Sequence, residues 1–421
     1  MNIITKREWK GDFEVKLSRE EIPAVRRIVE DVRRDGDAAV RHYSRLLDGA
    51  APDQFRVPKE TLSAAAAALD SALRDALLLA ARNIRTFSQV QKSAMNDFET
   101  ETSPGVFCGQ RTSPIGRVGV YVPGGRHPLV SSLLMGAIPA REAGVKEIAV
   151  CSPPTFSGTV HPLICGAAGL LGLEEVYAVG GAQAIAALAY GTESIPQVDK
   201  VVGPGNRFVN AAKLEVFGAA GIDLPAGPSE VLIVAGSEAD PEIAAADLLA
   251  QAEHDPEATA VLLTDSRDFA DSVNEAVRQG LERLPDQTIA AKSLEDRGFI
   301  LVLDDLEESV EIADRRAPEH LELQGRLAES LAGRFRNFGA LFIGTKAGEV
   351  LGDYTAGTNH ILPTGGASRF ASGLGVRDFL KFQATLRITP EGAAGLVSAT
   401  ERLAEAEGLS AHASAVARRN E

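Results

Sequence analysis

The chain is poor in cysteine and aromatic residues, and it carries more acidic than basic side chains. Its three cysteines, Cys108, Cys151 and Cys165, have no paired spacing, which argues against a disulfide framework and a thiolate zinc site. The formal net charge of -15, with no basic stripe, argues against a nucleic-acid partner. No window approaches the roughly 20 apolar residues that span a bilayer, and the first residues lack the apolar core of a signal peptide. We therefore expect a cytoplasmic protein with no membrane partner.

The chain does have the composition of an ordinary globular protein, with 45% hydrophobic and 24% charged residues. Its 421 residues exceed what one compact core holds, so we expect two or more domains. Helical patterns dominate residues 19–93, and beyond them short apolar, β-branched runs alternate with Ala- and Leu-rich segments. Such strand–helix alternation with Gly-rich strand ends is typical of a parallel α/β sheet.

The alternation divides into two sheet units. The apolar runs predict strands at 118–122, 147–151, 175–179, 200–202, 230–235, 260–264, 299–303 and 339–343. We predict the following organisation: an N-terminal arm and helices at 1–119 that pack on the second sheet unit, Rossmann-like parallel-sheet domains at 120–228 and 229–373, and a C-terminal helical tail at 374–421 without strands.

Three Gly-rich turns follow predicted strands in the first unit. They are Gly124-Gly125, Gly180-Gly181 and Gly203-Pro204-Gly205-Asn206. None matches Gly-x-Gly-x-x-Gly or a Walker-type motif, and an ordinary tight turn explains any single one equally well. Because ligands of open α/β sheets bind outside the strand carboxyl ends, three such turns in one segment favour a nucleotide-binding unit.

Gln251 and His254 end a helical pattern that is rich in Ala and Leu. A spacing of three residues on a helix directs both side chains to one face, where a nitrogen and an oxygen donor can begin a metal site. Two donors do not complete a site. From this pair alone, a structural role is the more conservative interpretation.

The run from Arg316 to Leu321 carries an adjacent acid and base, Glu319 and His320. We interpret Pro318 as the first position of a helix, entered through a rigid turn. Glu319 is then a candidate general base toward water, and His320 a candidate base toward a substrate hydroxyl. The competing interpretation is a surface Glu–His pair at a helix start.

Two polar segments further on hold additional candidates. The Gly-punctuated loop at 352–360 contains Asp353, a possible oxygen ligand, and His360, a possible substrate contact. A solvated turn is the alternative for this loop. Near the C-terminus, Glu407 and His412 would by themselves be assigned to an exposed helix end.

Together these segments resemble the histidinol dehydrogenase family over about residues 20–418. The matching runs occur in the same order as in the family, which makes the resemblance highly specific. They are Val-Gly-Val-Tyr-Val-Pro-Gly-Gly, Gly-Gly-Ala-Gln-Ala-Ile-Ala-Ala-Leu-Ala-Tyr-Gly-Thr-Glu-Ser, Val-Gly-Pro-Gly-Asn, Ala-Gly-Pro-Ser-Glu-Val, Gln-Ala-Glu-His, Ala-Pro-Glu-His-Leu-Glu, Gly-Asp-Tyr-x-Ala-Gly-x-Asn-His-x-Leu-Pro-Thr and Ala-Glu-x-Glu-Gly-Leu-x-x-His.

The resemblance implies one zinc ion per subunit, bound by Gln251, His254, Asp353 and His412. In the family the last ligand comes from the partner subunit of an intertwined homodimer, which would explain a tail that belongs to neither sheet. Nitrogen and oxygen donors without a thiolate fit a catalytic zinc with places for substrate. Manganese or cobalt could occupy the same donors.

The resemblance also implies the reaction, which is oxidation of L-histidinol to L-histidine through bound L-histidinal in two NAD-dependent steps. In this pattern His320 takes the hydroxyl proton, Glu319 activates water, and zinc orients the substrate. The substrate contacts by similarity are Ser229, Gln251, His254, His320, Asp353, His360, Glu407 and His412. The NAD contacts by similarity are Tyr121, Gln183 and Asn206.

One departure from the family pattern is Arg126-His127 after the Gly124-Gly125 turn, where small residues are usual. A cation there keeps open an alternative substrate, a sulfonated propanediol, although a carboxylate at Glu407 would repel a sulfonate. A third hypothesis is a zinc- or nucleotide-binding α/β protein without turnover.

Overall fold

The computed structural model describes residues 1–10, 23–124, 127–285 and 287–419, so Arg126 lies outside the described residues. The strands are β1 (Asn2–Thr5), β2 (Phe98–Ser103), β3 (Val106–Pro114), β4 (Arg117–Tyr121), β5 (Glu147–Ser152), β6 (Glu175–Ala178), β7 (Lys200–Val202), β8 (Gly221–Ile222), β9 (Glu230–Ala235), β10 (Thr259–Thr264), β11 (Phe299–Val302), β12 (His320–Gln324), β13 (Ala340–Ile343) and β14 (Leu380–Ile388).

Helices connect most of these strands, as the sequence pattern predicts. They are α1 (Pro23–Asp35), α2 (Asp37–Tyr43), α3 (Lys59–Ala67), α4 (Ser71–Ser93), α5 (Val130–Ala143), α6 (Pro162–Leu170), α7 (Gly181–Tyr190), α8 (Arg207–Val216), α9 (Pro241–Ala252), α10 (Arg267–Arg283), α11 (Thr288–Asp296), α12 (Glu308–Arg316), α13 (Arg326–Ser330), α14 (Glu349–Tyr354), α15 (Pro390–Ala406) and α16 (Ser410–Ala417). A π-helical segment, Ser44–Asp48, extends α2.

The first parallel sheet has the strand order β6-β5-β4-β7-β8. The N-terminal helices pack around this sheet, because α1 contacts α7 and α8, α3 contacts α6, and α4 contacts α5. Apolar side chains of these helices, such as Val25 and Ile84, are buried in its two cores. The expectation that they pack on the second sheet is therefore wrong. Of the described N-terminal segment, β1 is the part that joins the second sheet.

The second parallel sheet has the order β1-β11-β10-β9-β12-β13. One core lies between it and helices α9, α10 and α11, and another lies on the face covered by α12. Together the two sheets confirm the predicted α/β class with parallel sheets. Within the described residues, no helix combines the length and the apolar character needed to cross a membrane.

The prediction that Pro318 opens a helix is wrong. Helix α12 ends at Arg316, and Ala317 has a left-handed backbone with φ of 51°. Pro318 has no N–H with which to continue the helix. The residues that follow alternate in polarity, and Leu321 and Leu323 both enter the apolar core of one sheet face. They therefore form a central strand, β12, between β9 and β13.

The strands also do not stop at position 374. β14 pairs antiparallel with β3, which pairs with β2 in a third, small sheet. β14 is largely exposed and lacks the apolar run on which the other predictions rest. The predicted helical tail follows it as two helices, which are interrupted at Gly408 with φ of 75°.

Candidate active site

The predicted acid and base lie at the amino edge of the second sheet. β9 and β12 begin there side by side, with His320 in register with Val231. α9 runs back along the sheet from β9 and ends near this edge, which brings Gln251 to it. α14 runs back in the same way after β13 and contacts α9. This connectivity explains how residues far apart in sequence meet.

His320 is the centre of the cluster and is only 4% exposed. Its Nδ1 lies 3.3 Å from Gln251 Oε1, 3.3 Å from Glu349 Oε2 and 3.2 Å from the carbonyl oxygen of Glu230. Its Nε2 lies 3.6 Å from Asp353 Oδ1. The ring is therefore held on one side and directed toward Asp353 on the other.

Glu319 is 5% exposed and is anchored by the backbone N–H of Glu230, which donates to its Oε2 at 2.9 Å. The same Oε2 lies 3.9 Å from His320 Nδ1. Glu230 itself pairs with Arg316 inside the protein and accepts the N–H of Gly365 at 3.0 Å. The surface-pair interpretation of Glu319 and His320 is therefore wrong.

The pKa values of Glu319 and His320 are both raised, but for different reasons. Burial raises the pKa of Glu319 to about 8. For His320, burial alone would lower the pKa, but the carboxyl groups of Glu319, Glu349 and Asp353 raise it well above its usual value. Shifts of this size in a buried acid–base pair are typical of catalytic sites.

His360 connects this site to the first sheet unit. Its Nδ1 lies 3.0 Å from the carbonyl oxygen of Asp353, and its Nε2 lies 3.3 Å from Ser132 Oγ on α5. Burial lowers the pKa of His360, so the ring is held neutral. Ser229 immediately precedes β9 at the same sheet edge, and its carbonyl oxygen accepts the N–H of Thr259.

The predicted metal donors are brought together only in part. Gln251 and Asp353 both face His320. Burial raises the pKa of Asp353, but His320, and to a smaller extent His360 and His254, lower it below its usual value. His254, Glu407 and His412 are exposed, the last two on the tail. Within the described ranges, no group of three or more His, Cys, Asp or Glu side chains is arranged to hold a metal ion.

The predicted NAD contacts lie at the carboxyl edge of the first sheet. Tyr121 ends β4, and its hydroxyl accepts the N–H of Gly181 at 3.2 Å. Gln183, fully buried in α7, donates to Asp48 Oδ2 at 3.0 Å. Asn206 caps α8 by accepting the N–H groups of Phe208 and Val209.

A cavity of about 260 Å³ lies beside this edge. Gly203, Lys213 and Asp223 line it from the first unit, and Ile361 and Leu362 line it from the segment that follows His360. The cavity therefore lies where the two units meet.

Several residues of the site were not found from the sequence. Glu230, Glu349 and Asp48 each contact a predicted site residue. Glu230 had a detectable signal, because a charged residue inside an apolar strand run is unusual. Glu349 and Asp48 lie in segments with ordinary polar composition, so the sequence gives no signal that would single them out.

Comparison with known proteins places the chain in one family. The family model described as histidinol dehydrogenase matches residues 14–420. A histidinol dehydrogenase of Parasynechococcus marenigrum (strain WH8102) is 47% identical over 392 residues, which cover 93% of this chain and 89% of that protein. One of Moorella thermoacetica (strain ATCC 39073 / JCM 9320) is 46% identical over 419 residues, or 99% and 98% of the two chains.

A solved structure agrees with the sequence relatives. The crystal structure of histidinol dehydrogenase from Elizabethkingia anophelis superimposes with a TM-score of 0.94 at 38% identity, and covers 100% of this chain and 98% of that one. These relatives lend no support to the alternative of a sulfonated-propanediol dehydrogenase. The chain belongs to the histidinol dehydrogenase family.

Proposed function

We propose that the cluster around His320 oxidises L-histidinol to L-histidine through L-histidinal, in two successive NAD-dependent steps. The observation that carries this proposal is the buried pair Glu319 and His320, which meets Gln251 and Asp353 at one sheet edge in a chain of this family. A water-excluded acid–base pair suits an oxidation whose aldehyde intermediate must not escape.

His320 is the base of the first step. It accepts the proton of the substrate hydroxyl as hydride leaves the carbon for NAD. Nε2 is the acting nitrogen, because Nδ1 is surrounded by Gln251, Glu349 and the Glu230 carbonyl. His360, held neutral by burial and anchored by the Asp353 carbonyl, and Ser229, immediately before β9, are positioned to bind the substrate.

Glu319 is the base of the second step. It removes a proton from the water that adds to the aldehyde, and a second hydride then leaves the hydrate to give the carboxylic acid. The hydrogen bond from the Glu230 N–H holds Glu319 Oε2 in place. Glu319 must be ionised to act, and its burial raises its pKa.

Gln251, His254 and Asp353 would hold zinc in one subunit, with His412 of a second subunit completing the donor set. These nitrogen and oxygen donors are of the chemical type that binds a catalytic zinc. The buried His320 Nε2, which lies next to Asp353, has no hydrogen-bond partner among the described residues. Zinc, when bound there, supplies a positive charge that orients the substrate and offsets the carboxyl groups that raise the pKa of His320.

A homodimer accounts for the position of the tail. His412 and Glu407 are exposed in the single chain, far in sequence from the residues that they would join. Large apolar side chains are also exposed on the small sheet and the tail helices, as expected for a surface that a second chain covers. They are Phe98, Phe382, Leu386, Leu403 and Leu409. Glu407 then binds the substrate ammonium group across the interface.

The direct test is NADH formation by the purified protein with zinc, NAD and L-histidinol. We expect two NADH per substrate and loss of activity on chelation, with recovery when zinc is returned. His254→Ala should lower both zinc content and turnover, whereas His42→Asn, an exposed histidine on α2, should change neither. Turnover of another polar alcohol but not of histidinol would contradict the proposed substrate.

A further inference from the structure

Phe156 is the most exposed large apolar residue among those that the structure describes. It lies in the loop between β5 and α6 and is 100% exposed, whereas the next in rank, Phe370, is 74% exposed. A single apolar side chain on a protein surface is ordinary. Phe156 is unusual because of the turn that carries it and because of the place at which that turn leaves the sheet.

The turn that carries Phe156 is closed by its own hydrogen bonds. The N–H of Thr155 donates to the carbonyl oxygen of Thr159 at 2.8 Å, and the N–H of Gly158 donates to the carbonyl oxygen of Thr155 at 2.8 Å. Thr155 Oγ1 lies 2.8 Å from Ser157 Oγ and donates to the carbonyl oxygen of Thr159 at 2.9 Å. Gly158 has the left-handed backbone that this turn requires, with φ of 77°. The turn therefore presents the aromatic ring at a defined position.

The foot of this loop lies between two of the Gly-rich turns. A Cβ on Gly124, after β4, would lie 2.7 Å from Ser152 Oγ, and a Cβ on Gly180, after β6, would lie 2.8 Å from Pro153 Cβ. β5 itself pairs with β4 on one side and with β6 on the other. The loop therefore leaves the carboxyl edge of the first sheet among the predicted NAD contacts.

Two buried oxygens at this edge have no hydrogen-bond partner among the described residues. They are Ser152 Oγ, at the foot of the loop, and Gln183 Oε1, at the start of α7. Both residues are fully buried. Buried polar atoms without a partner are uncommon in folded proteins and call for a specific explanation. Their position beside the Gly-rich turns supports a polar ligand at this edge, independently of Phe156.

The strand order indicates which half of a dinucleotide would lie near Phe156. The second unit meets the first at Ser132, near the start of α5 after β4, and at the cavity beside Gly203 and Asp223, after β7 and β8. In the order β6-β5-β4-β7-β8, the strands farther from these contacts are β5 and β6. With the nicotinamide ring at the catalytic cluster, the adenosine half extends toward them. Adjacent strands are about 5 Å apart, which an extended dinucleotide spans.

We propose that the ring of Phe156 stacks on the adenine base of NAD. The inference rests on the proposed function, in which NAD is the oxidant. Stacking on an aromatic ring uses the π face of the base, and it removes from water a side chain that the fold leaves exposed. The adenine base takes no part in hydride transfer. Phe156 therefore contributes to the affinity for NAD and leaves the chemical steps unchanged.

Binding of ADP-ribose tests this contact without turnover, because ADP-ribose contains the adenine base but no nicotinamide. Calorimetric titration would compare the wild type with Phe156→Ala. Phe217→Ala is the matched control, because Phe217 directly follows α8 at the opposite edge of the same sheet and is 68% exposed. We expect the Kd of ADP-ribose to rise about tenfold in Phe156→Ala, which is typical for the loss of one stacked base, and to stay unchanged in Phe217→Ala.

Phe156→Trp tests the aromatic character of the contact. We expect this variant to bind ADP-ribose at least as tightly as the wild type does. The chain contains one other tryptophan, Trp9, so the added fluorescence reports on position 156. Stacking on adenine should quench it as ADP-ribose is added. Absence of quenching at saturating ADP-ribose would contradict the stacking contact.

Steady-state kinetics separate a cofactor contact from a structural role. In Phe156→Ala the KM for NAD should rise about tenfold, while kcat and the KM for histidinol stay unchanged. Equal ADP-ribose affinity in Phe156→Ala and the wild type would overturn the proposal. A change in subunit assembly with unchanged ADP-ribose affinity would also overturn it, and would assign Phe156 to a contact between chains. A wild type that binds ADP-ribose but does not oxidise histidinol would contradict the proposed function alone.

Discussion

The backbone N–H of Glu230 donates a hydrogen bond to Glu319 Oε2 over 2.9 Å, although the two residues are 89 positions apart. The bond joins the amino ends of two adjacent strands and orients the carboxyl group beside His320. The bond fixes Glu319 Oε2 at 3.9 Å from His320 Nδ1. In the proposed mechanism Glu319 acts on water, which is the role that separates it from His320.

Glu319→Gln should therefore stop the reaction after the first hydride. The amide cannot accept a proton from water, so we expect kcat for the complete oxidation to fall about 10²–10³-fold, while each site still forms one NADH. Single-turnover measurements of NADH per site check this stoichiometry. Formation of two NADH at the wild-type rate would exclude Glu319 as the base of the second step.

His320→Asn should abolish both steps, because in the proposed mechanism His320 Nε2 is the group that accepts the proton of the substrate hydroxyl. We expect a loss of about 10²–10⁴-fold in kcat for histidinol and no single-turnover NADH. His42→Asn serves as the matched control. An unimpaired first stage in His320→Asn would refute the assignment.

Two inactive variants should restore each other if the tail crosses between subunits. His254→Ala retains a normal tail, and His412→Ala retains the donors Gln251, His254 and Asp353. In a mixed dimer one site is then intact, so an equal, randomly exchanged mixture should regain up to about a quarter of wild-type activity. Refolding the two variants together and assaying NADH formation measures this. No recovery, with dimer exchange verified, would show that the donors come from one chain.

The buried ion pair between Lys213 and Asp223 supports the first unit and should be sensitive to loss of one partner. Lys213 is fully buried and also donates to the carbonyl oxygen of Gly203. Lys213→Met leaves a buried carboxylate unpaired and should lower the free energy of unfolding by about 3–5 kcal/mol. Adding Asp223→Asn removes that charge and keeps an acceptor for the Gly203 N–H, so the double variant should be more stable than the single one. Urea unfolding at equilibrium measures both, and a double variant no more stable than Lys213→Met would contradict the argument.

Asp48 should make stability depend on pH. Burial raises its pKa to about 6, so folded Asp48 holds its proton to a higher pH than the unfolded chain does. Its contribution to stability is complete below about pH 4 and is lost as the pH rises through about 6. Asp48→Asn removes this dependence. Between pH 4 and pH 7 the variant should gain about 1 kcal/mol relative to wild type, after allowance for solvent screening.

Urea unfolding at the two pH values checks the prediction for Asp48. The exposed Asp53→Asn, in the same segment, is the control. A relative stability of Asp48→Asn that does not change with pH would contradict a raised pKa.

The sequence predicts the parallel strands well where they are buried on both faces, because each forms an uninterrupted apolar run. β12 escaped prediction because three of its five residues are polar and a proline comes shortly before it. In β14, apolar and polar residues alternate on an exposed sheet, so this strand contains no uninterrupted apolar run. Several residues that the sequence singled out do meet in the structure, namely Gln251, Glu319, His320, Asp353 and His360.

The partners of these side chains were not predictable. Glu230 and Glu349 approach His320 only because β9 and β13 flank β12, and that strand order is a long-range property of the fold. For the same reason, Asp48 was not recognised as a neighbour of Gln183, since the π-helical segment and α7 meet only in three dimensions.

The left-handed turn at Ala317 has a consequence for how this protein can evolve. β12 is fixed between two neighbours, so the number of residues from Ala317 to His320 determines which side chains face the core. Inserting or deleting one residue there would bring Leu321 and Leu323 toward α9 and turn His320 and Glu322 into the apolar core. We expect homologous chains to tolerate substitution at Pro318 more readily than any change of length. The number of residues between Ala317 and His320 should therefore be conserved wherever the catalytic pair is conserved.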